Sequence, residues 1–377
     1  MSASFTAPTR IVAGPGSLAG LREEATRLGM RRIAVVADHG LLALGLVDDI
    51  VQRGGIADLI VATIGADVDP SPASVEAATR IAAAADADAV VGIGGGSGLC
   101  AAKAVALLLR QPVPALALEG MDRATHPPVP TIAVPTTAGS GSEVSNALVL
   151  HEPGLVREIV IRGDGYQPLV AVLDATVLRG LPRAPLVYAA LDALSHAMEA
   201  LWARRRSLFS DTCALRAAEI ILDVLPSAAE GAADGRNRSG SEDETLQRLL
   251  EASSLANLAC GNSGLALVHA LSSSPAVPLA HGLQNGVLLP FVARLNRTTL
   301  SAEGRALADR IEPLYQRLGF VTRFDAGVVD IDAMIAASAG HAFRRNNAYD
   351  ATDDELRELL REAGASRLSA SLAPSER

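Results

Sequence analysis

Asp192 and His196 stand four residues apart in YAALDALSHAMEAL, so on a helix both project from one face and can share a single ion. Alone, such a pair is more often a surface contact. Here the flanking residues Val187, Ala190, Leu191, Leu194, Met198 and Leu201 are apolar, which turns the pair inward, where unpartnered polar groups cost several kcal/mol. His269 in SGLALVHAL and His281 in PLAHGLQNGVLLP sit in equally apolar settings. One carboxylate and three imidazoles suit a divalent transition ion such as Fe2+ or Zn2+, with a position left open for substrate. His39, His126, His151 and His341 lie in polar or loop-like contexts and receive no role.

A second chemistry is written in DAVVGIGGGSGLCAAKAVALLL, where a buried strand turns into a helix through Gly94, Gly95, Gly96 and Ser97. Glycines let backbone N–H groups approach a phosphate, and a helix N-terminus favours the anion. A tight turn with glycines for steric reasons alone is the competing reading. Lys103 weighs against it, because it follows in the same helix and is the single Lys among 33 basic residues. Asp38 ends the strand RIAVVAD, where a carboxylate can accept from an adenosine ribose and repel a 2′-phosphate, which favours NAD(H) over NADP(H). A polar turn, PTTAGSGSEVS, adds hydroxyls from Thr136, Thr137, Ser140 and Ser142 at the same ends of the strands.

The elements that must position these residues follow from periodicity. Over the first 150 residues, β-branched runs alternate with Ala/Leu-rich helical segments, the pattern of βαβ units on a parallel sheet. RIAVVA, DLIVATI, DAVVGIG and PTIAVPT are the strand candidates, and REIVIRG and PLVAVLD are expected to close the same half. Ser71 and Pro72 mark a helix start. Beyond Pro182 the period is helical over 184–206, 210–229, 244–272, 283–295, 302–318, 330–344 and 353–364. The polar stretch 231–244 reads as a solvated loop and the tail after Gly364 as frayed. The expectation is an α/β dinucleotide-binding domain over 1–180 and an all-helical metal-binding and substrate domain over 181–377.

Composition removes whole classes of function. A net charge of −9 leaves no basic stripe for a polyanion, so nucleic acid is not expected as a partner. The opening residues lack an apolar leader and no stretch has the length of a membrane span, so a cytoplasmic location is expected. Three widely spaced cysteines, Cys100, Cys213 and Cys260, argue for reduced thiols rather than a disulfide framework.

Taken in order, GGGSGLCAAKA, PTTAGSGSEVS, LDALSHAMEAL and LVHAL with LAHGLQNGVLLP resemble the iron-containing (group III) alcohol dehydrogenases over nearly the whole chain. The resemblance implies a Rossmann-like dinucleotide-binding domain, a helical domain and a catalytic Fe2+ or Zn2+ in the cleft between them. It implies Asp192, His196, His269 and His281 as metal ligands. It also implies cofactor contacts from Asp38, Gly95, Gly96, Ser97, Thr136, Thr137 and Ser142, beside the Lys103 noted above. Three departures stand out: Cys100 replaces the family's usual Asp, Ser273 replaces a usual His, and Arg157 and Glu158 stand where many members carry a Lys near the pyrophosphate. The segment between His269 and His281 is also slightly shorter than usual. Loss of the Asp is shared with the maleylacetate reductase branch.

The implied activity is reversible hydride transfer between NAD(P)(H) and a small alcohol/aldehyde pair, in the direction of aldehyde reduction, by a homodimer. Protons would pass through water, the cofactor ribose or a hydroxyl such as Ser273. A maleylacetate-type reductase and an inactive NAD-binding pseudo-enzyme are the alternatives. A lyase of the dehydroquinate synthase kind needs basic clusters for a phosphorylated substrate, and the helical half has no Lys.

Overall fold

The β-branched runs become nine strands in a computed structural model that describes residues 4–152, 158–233, 241–273, 277, 279–325 and 329–365. They are β1 (Arg10–Ala13), β2 (Ile33–Asp38), β3 (Ile60–Ala66), β4 (Ala89–Gly94), β5 (Gly120–Met121), β6 (Thr131–Pro135), β7 (Ala147–Leu150), β8 (Ile159–Arg162) and β9 (Val170–Leu173). Six of them form one parallel sheet in the order β1-β9-β6-β4-β2-β3. Every residue of β4, β6 and β9 is buried, as expected when helices cover both faces of a parallel sheet. The direction of winding changes between β2 and β4, so a crevice opens at their carboxyl ends. Asp38 and Gly94 are the last residues of those two strands.

One expected strand lies outside the main sheet. REIVIRG does not close the main sheet: its core, β8, pairs antiparallel with β7 and parallel with β5 in a separate three-stranded sheet. The reason is its alternation. Ile159 and Ile161 are buried while Val160 and Arg162 are half-buried, the pattern of a strand covered on one face only. PLVAVLD does join the main sheet, as β9.

After β9 the described chain is helical apart from a single isolated bridge. The Arg183–Leu201 helix is buried along most of its length and packs against the helices Leu208–Ala233, Ser241–Ser263 and His281–Leu295. Three expected helices are each split in two. Gly264, at φ +81°, ends Ser241–Ser263 before the short helix Leu267–Ser272, and a side chain there would strike the Arg205 guanidinium. Gly340, at φ +74°, likewise separates Ile331–Ser338 from Ala342–Asn346, and Ala302–Ala308 is distinct from Ile311–Leu318. Helices also run into the stretch expected as a loop, to Ala233 from one side and from Ser241 on the other; 234–240 and the tail 366–377 lie outside the described residues. The Pro72–Ala84 helix starts as expected, with Ser71 and Ser74 closing a capping box. No described helix is long and apolar enough to cross a membrane.

Candidate active site

Three helices bring the predicted ligands together. Asp192 and His196 lie one turn apart on Arg183–Leu201, His269 on Leu267–Ser272, and His281 opens His281–Leu295. Asp192 Oδ1 is 3.5 Å from His269 Nε2, 3.7 Å from His196 Nε2 and 3.8 Å from His281 Nε2. Ligand atoms of Asp192, His269 and His281 all lie within 4.8 Å of one another, a grouping able to hold a metal ion. His196 stacks on His269 with ring centroids 4.7 Å apart. Asp192, His196 and His269 are buried, whereas the His281 side chain is 45% exposed, so the centre is open on one side.

Close approach of the helices is written in glycines. A Cβ on Gly282 would stand 2.3 Å from the Tyr188 carbonyl oxygen, and one on Gly286 would meet Leu191 and Phe320 at 2.9 Å. These two positions let the His281 helix lie against Arg183–Leu201 closely enough for His281 to face Asp192.

Asn285 stands within this group, one turn after His281. Its Nδ2 donates to Asp192 Oδ1 at 2.7 Å and lies 3.1 Å from His269 Nε2 and 3.0 Å from His281 Nε2. One amide nitrogen thus lies within hydrogen-bond distance of a carboxylate oxygen and two ring nitrogens, so four side chains converge on one point. Nδ1 of His196 is buried without a hydrogen-bond partner among the described residues. This donor set fits a divalent transition ion.

Electrostatics agrees. Burial alone would raise the Asp192 carboxyl, but the three imidazoles outweigh it and hold the group far below the usual range. Burial pushes His196 down to about 4, so this ring is neutral at physiological pH and offers a lone pair. Burial also opposes charge on His269, yet the Glu199 and Asp192 carboxylates beside it prevail and lift it to about 10. An ion must therefore displace a proton from His269 to bind there.

At the crevice, the two polar turns touch. A Cβ on Gly95 would be 3.2 Å from Thr137 Oγ1, and one on Gly96 would be 3.2 Å from Ser140 Cβ. Gly95, Gly96, Ser97 and Thr137 are half-buried and reachable; Thr136 and Ser142 are buried. Ser97 Oγ accepts from the Asp69 N–H at 3.1 Å, Thr136 N–H donates to the Gly94 carbonyl at 3.0 Å, and Ser142 N–H donates to Ser140 Oγ at 3.3 Å.

Asp38 stands closer to the turn than the sequence suggested: its Oδ2 accepts from the Gly95 N–H at 3.0 Å, and a Cβ on Gly94 or Gly98 would strike its carboxylate. Burial raises its pKa against the pull of the Gly95 and Gly98 amides. Lys103 is buried and its ammonium donates to the carbonyls of Ser145 (3.2 Å) and Ala147 (2.6 Å).

The departures also have definite places. Cys100 Sγ accepts from Val149 N–H at 2.9 Å and donates to Val149 O at 3.1 Å, and burial pushes the thiol up, away from thiolate. It pins the Gly96–Leu108 helix to β7. The Ser273 hydroxyl donates to the His269 carbonyl at 2.6 Å. Glu158 lies 3.6 Å from His151 Nε2; Arg157 falls outside the described residues, as does part of the segment between His269 and His281.

The crevice at the strand ends and the Asp192 group are joined by one helical turn. A Cβ on Gly139, in the Thr136–Ser142 turn, would lie 2.8 Å from Ala189 Cβ, while the neighbouring Tyr188 carbonyl abuts Gly282. Ala189 is one turn before Asp192.

Two participants escaped the sequence reasoning. Asn285 repeats, with His281, the four-residue spacing that singled out Asp192 and His196. Glu199 is an acidic residue three positions after His196 on the same largely apolar helix; its Oε2 lies 2.6 Å from His269 Nδ1.

Residues 8–175 match the model of the family described as iron-containing alcohol dehydrogenase, and 186–320 match the C-terminal model of the Fe-containing alcohol dehydrogenase family. The chain is 34% identical over 314 residues to the probable alcohol dehydrogenase EutG of Escherichia coli strain K12, covering 81% of this chain and 77% of EutG. Among solved structures, sulfoacetaldehyde reductase from Bifidobacterium kashiwanohense in complex with NAD+ superposes at a TM-score of 0.85, with 25% identity over 97% of this chain and 100% of that one. Maleylacetate reductase from Rhizobium sp. strain MTP-10005 superposes at 0.79, with 26% identity over 97% and 98% of the two chains.

Proposed function

The chain belongs to the iron-containing alcohol dehydrogenase family, and on that premise we propose that it transfers hydride between NAD(H) and a small aldehyde, acting physiologically as a reductase. The observation that carries the reading is the convergence of Asp192, His269 and His281 on one point, a single helical turn from Ala189, which packs against Gly139 in the polar Thr136–Ser142 turn. Asp192, His196, His269 and His281 would hold one Fe2+ or Zn2+. When bound, the ion supplies Lewis-acid polarisation of the substrate oxygen.

The chain's own residues do the rest. Asp192 brings a negative charge into a buried site and offsets part of the ion's charge. His196, neutral by burial, adds a ligand without adding charge. The exposed face of His281 leaves the centre open to a substrate from the crevice. The backbone of Gly95 and Gly96 and the hydroxyls of Ser97 and Thr137 would lie against a diphosphate, and Asp38, which accepts the Gly95 N–H, would also meet the adenosine ribose, with Thr136, Ser142 and Lys103 buried behind them as the frame of these turns. A related protein binds NAD+, which supports the same cofactor here. Because Cys100 and Ser273 are engaged with backbone groups, water or the cofactor ribose is the proton route.

The test is a panel of small aldehydes with NADH or NADPH in anaerobic buffer containing Fe2+ or Zn2+, together with metal analysis. The natural protein is expected to hold one ion and to prefer NADH. His269→Ala is expected to lose the ion and to fall by at least two orders of magnitude in kcat/KM, roughly the loss of one strong electrostatic contact in the transition state. Full turnover by that variant, or no stoichiometric metal in the natural protein after reconstitution, would overturn the reading.

A further inference from the structure

Glu199 lies two turns beyond Asp192 on the Arg183–Leu201 helix and is completely buried. A buried carboxylate must be compensated by hydrogen bonds, and each of its oxygens has a different task. Oε1 accepts from the backbone N–H groups of Val268 (2.5 Å) and His269 (3.3 Å). Those amides belong to the first turn of Leu267–Ser272, where a helix leaves N–H groups unpaired. Oε2 lies 2.6 Å from His269 Nδ1. The same carboxylate therefore docks the short helix and grips the ring that the helix carries.

We propose that Glu199 is the positioning residue of the metal centre: by accepting the Nδ1–H of His269 it keeps the proton on that nitrogen and leaves the Nε2 lone pair for the ion. The Nε2 atom faces Asp192 Oδ1 at 3.5 Å, so the ring nitrogen away from Glu199 is the one that points into the ligand group. The inference rests on the metal-centre reading above.

Glu199→Gln tests it sharply, because the two backbone donors dictate the amide's orientation. They require the Gln oxygen in the place of Oε1, which turns the amide NH2 toward His269 Nδ1. Nδ1 must then accept, the proton moves to Nε2, and the ligand lone pair is blocked. Using the full-length protein and zinc as the probe, chelator competition is expected to find zinc binding weakened roughly 10- to 100-fold in this variant. In the zinc-loaded natural protein, 15N-histidine spectra are expected to show a slowly exchanging proton on His269 Nδ1 and zinc on Nε2. The resonance is assigned by its disappearance in His269→Asn.

Equal zinc affinity in Glu199→Gln overturns the proposal while leaving the metal centre intact. Should that variant fail to fold, the natural protein's spectrum decides: a proton on Nε2 or zinc on Nδ1 overturns it. Failure of the natural protein to bind zinc at all removes the metal centre itself, and the role of Glu199 with it.

Discussion

Lys103 illustrates what residue type reveals and what it hides. As the single Lys of the chain it stood out by composition, and its helix does begin at the glycine turn. Its use was not legible, because the carbonyls it binds lie at and just before the start of β7, more than forty residues away. Burial pushes its pKa down from 10.5 to about 8. The sign follows. Below pH 8 both folded and unfolded chains hold the proton, and the folded state carries the full burden of a buried charge. Between pH 8 and 10.5 the unfolded chain binds more protons, so stability rises with pH by up to about 3 kcal/mol from this group. Buried Cys100 and Cys260, both pushed upward by burial, act oppositely at high pH. The comparison with Lys103→Met isolates the lysine. Denaturant unfolding from pH 7 to 10 is expected to show the natural protein gaining on the variant as pH rises, and parallel curves would refute the buried charge.

At the scale of elements, the sequence was readable where periodicity met a local signal. The Asp192/His196 spacing, the cap at Ser71 and the central strands all appear as expected, since each depends on neighbours within a few residues. The unreadable parts depended on distant partners. β8 pairs with β7 and β5 outside the main sheet, and the break at Gly264 depends on Arg205 and Asn346 packed beside it. Gly282 belongs to this second group. Its backbone is helical, so propensity alone favours Ala by about 1 kcal/mol. The Tyr188 carbonyl reverses that preference, because a methyl group 2.3 Å from a backbone oxygen forces the two helices apart. Gly282→Ala is expected to cost about 1–3 kcal/mol in chemical denaturation and to weaken zinc binding by drawing His281 from Asp192. A variant as stable as the natural protein, with unchanged zinc affinity, would mean that this contact does not set the helix spacing.

For the whole molecule, the candidate site is where two independently readable patterns meet. The parallel sheet supplies a crevice at the ends of β2 and β4, and the helical half supplies a candidate ligand set drawn from three helices. The unfolded chain cannot hold those ligands together, so an ion that binds the folded protein adds to its stability. At one hundred times the dissociation constant the gain is about 2.7 kcal/mol. The thermal midpoint of metal-depleted protein is therefore expected to rise on adding zinc. Asp192→Asn, which removes the charge at the centre of the group, is expected to lose most of that rise. Location gives the more searching test. Hydrogen-exchange protection gained with zinc is expected in Arg183–Leu201, Leu267–Ser272 and the start of His281–Leu295, with little change in β1 and β3 at the edges of the sheet. Protection spread evenly over both halves, or an equal rise in Asp192→Asn, would place the ion somewhere other than among these four side chains.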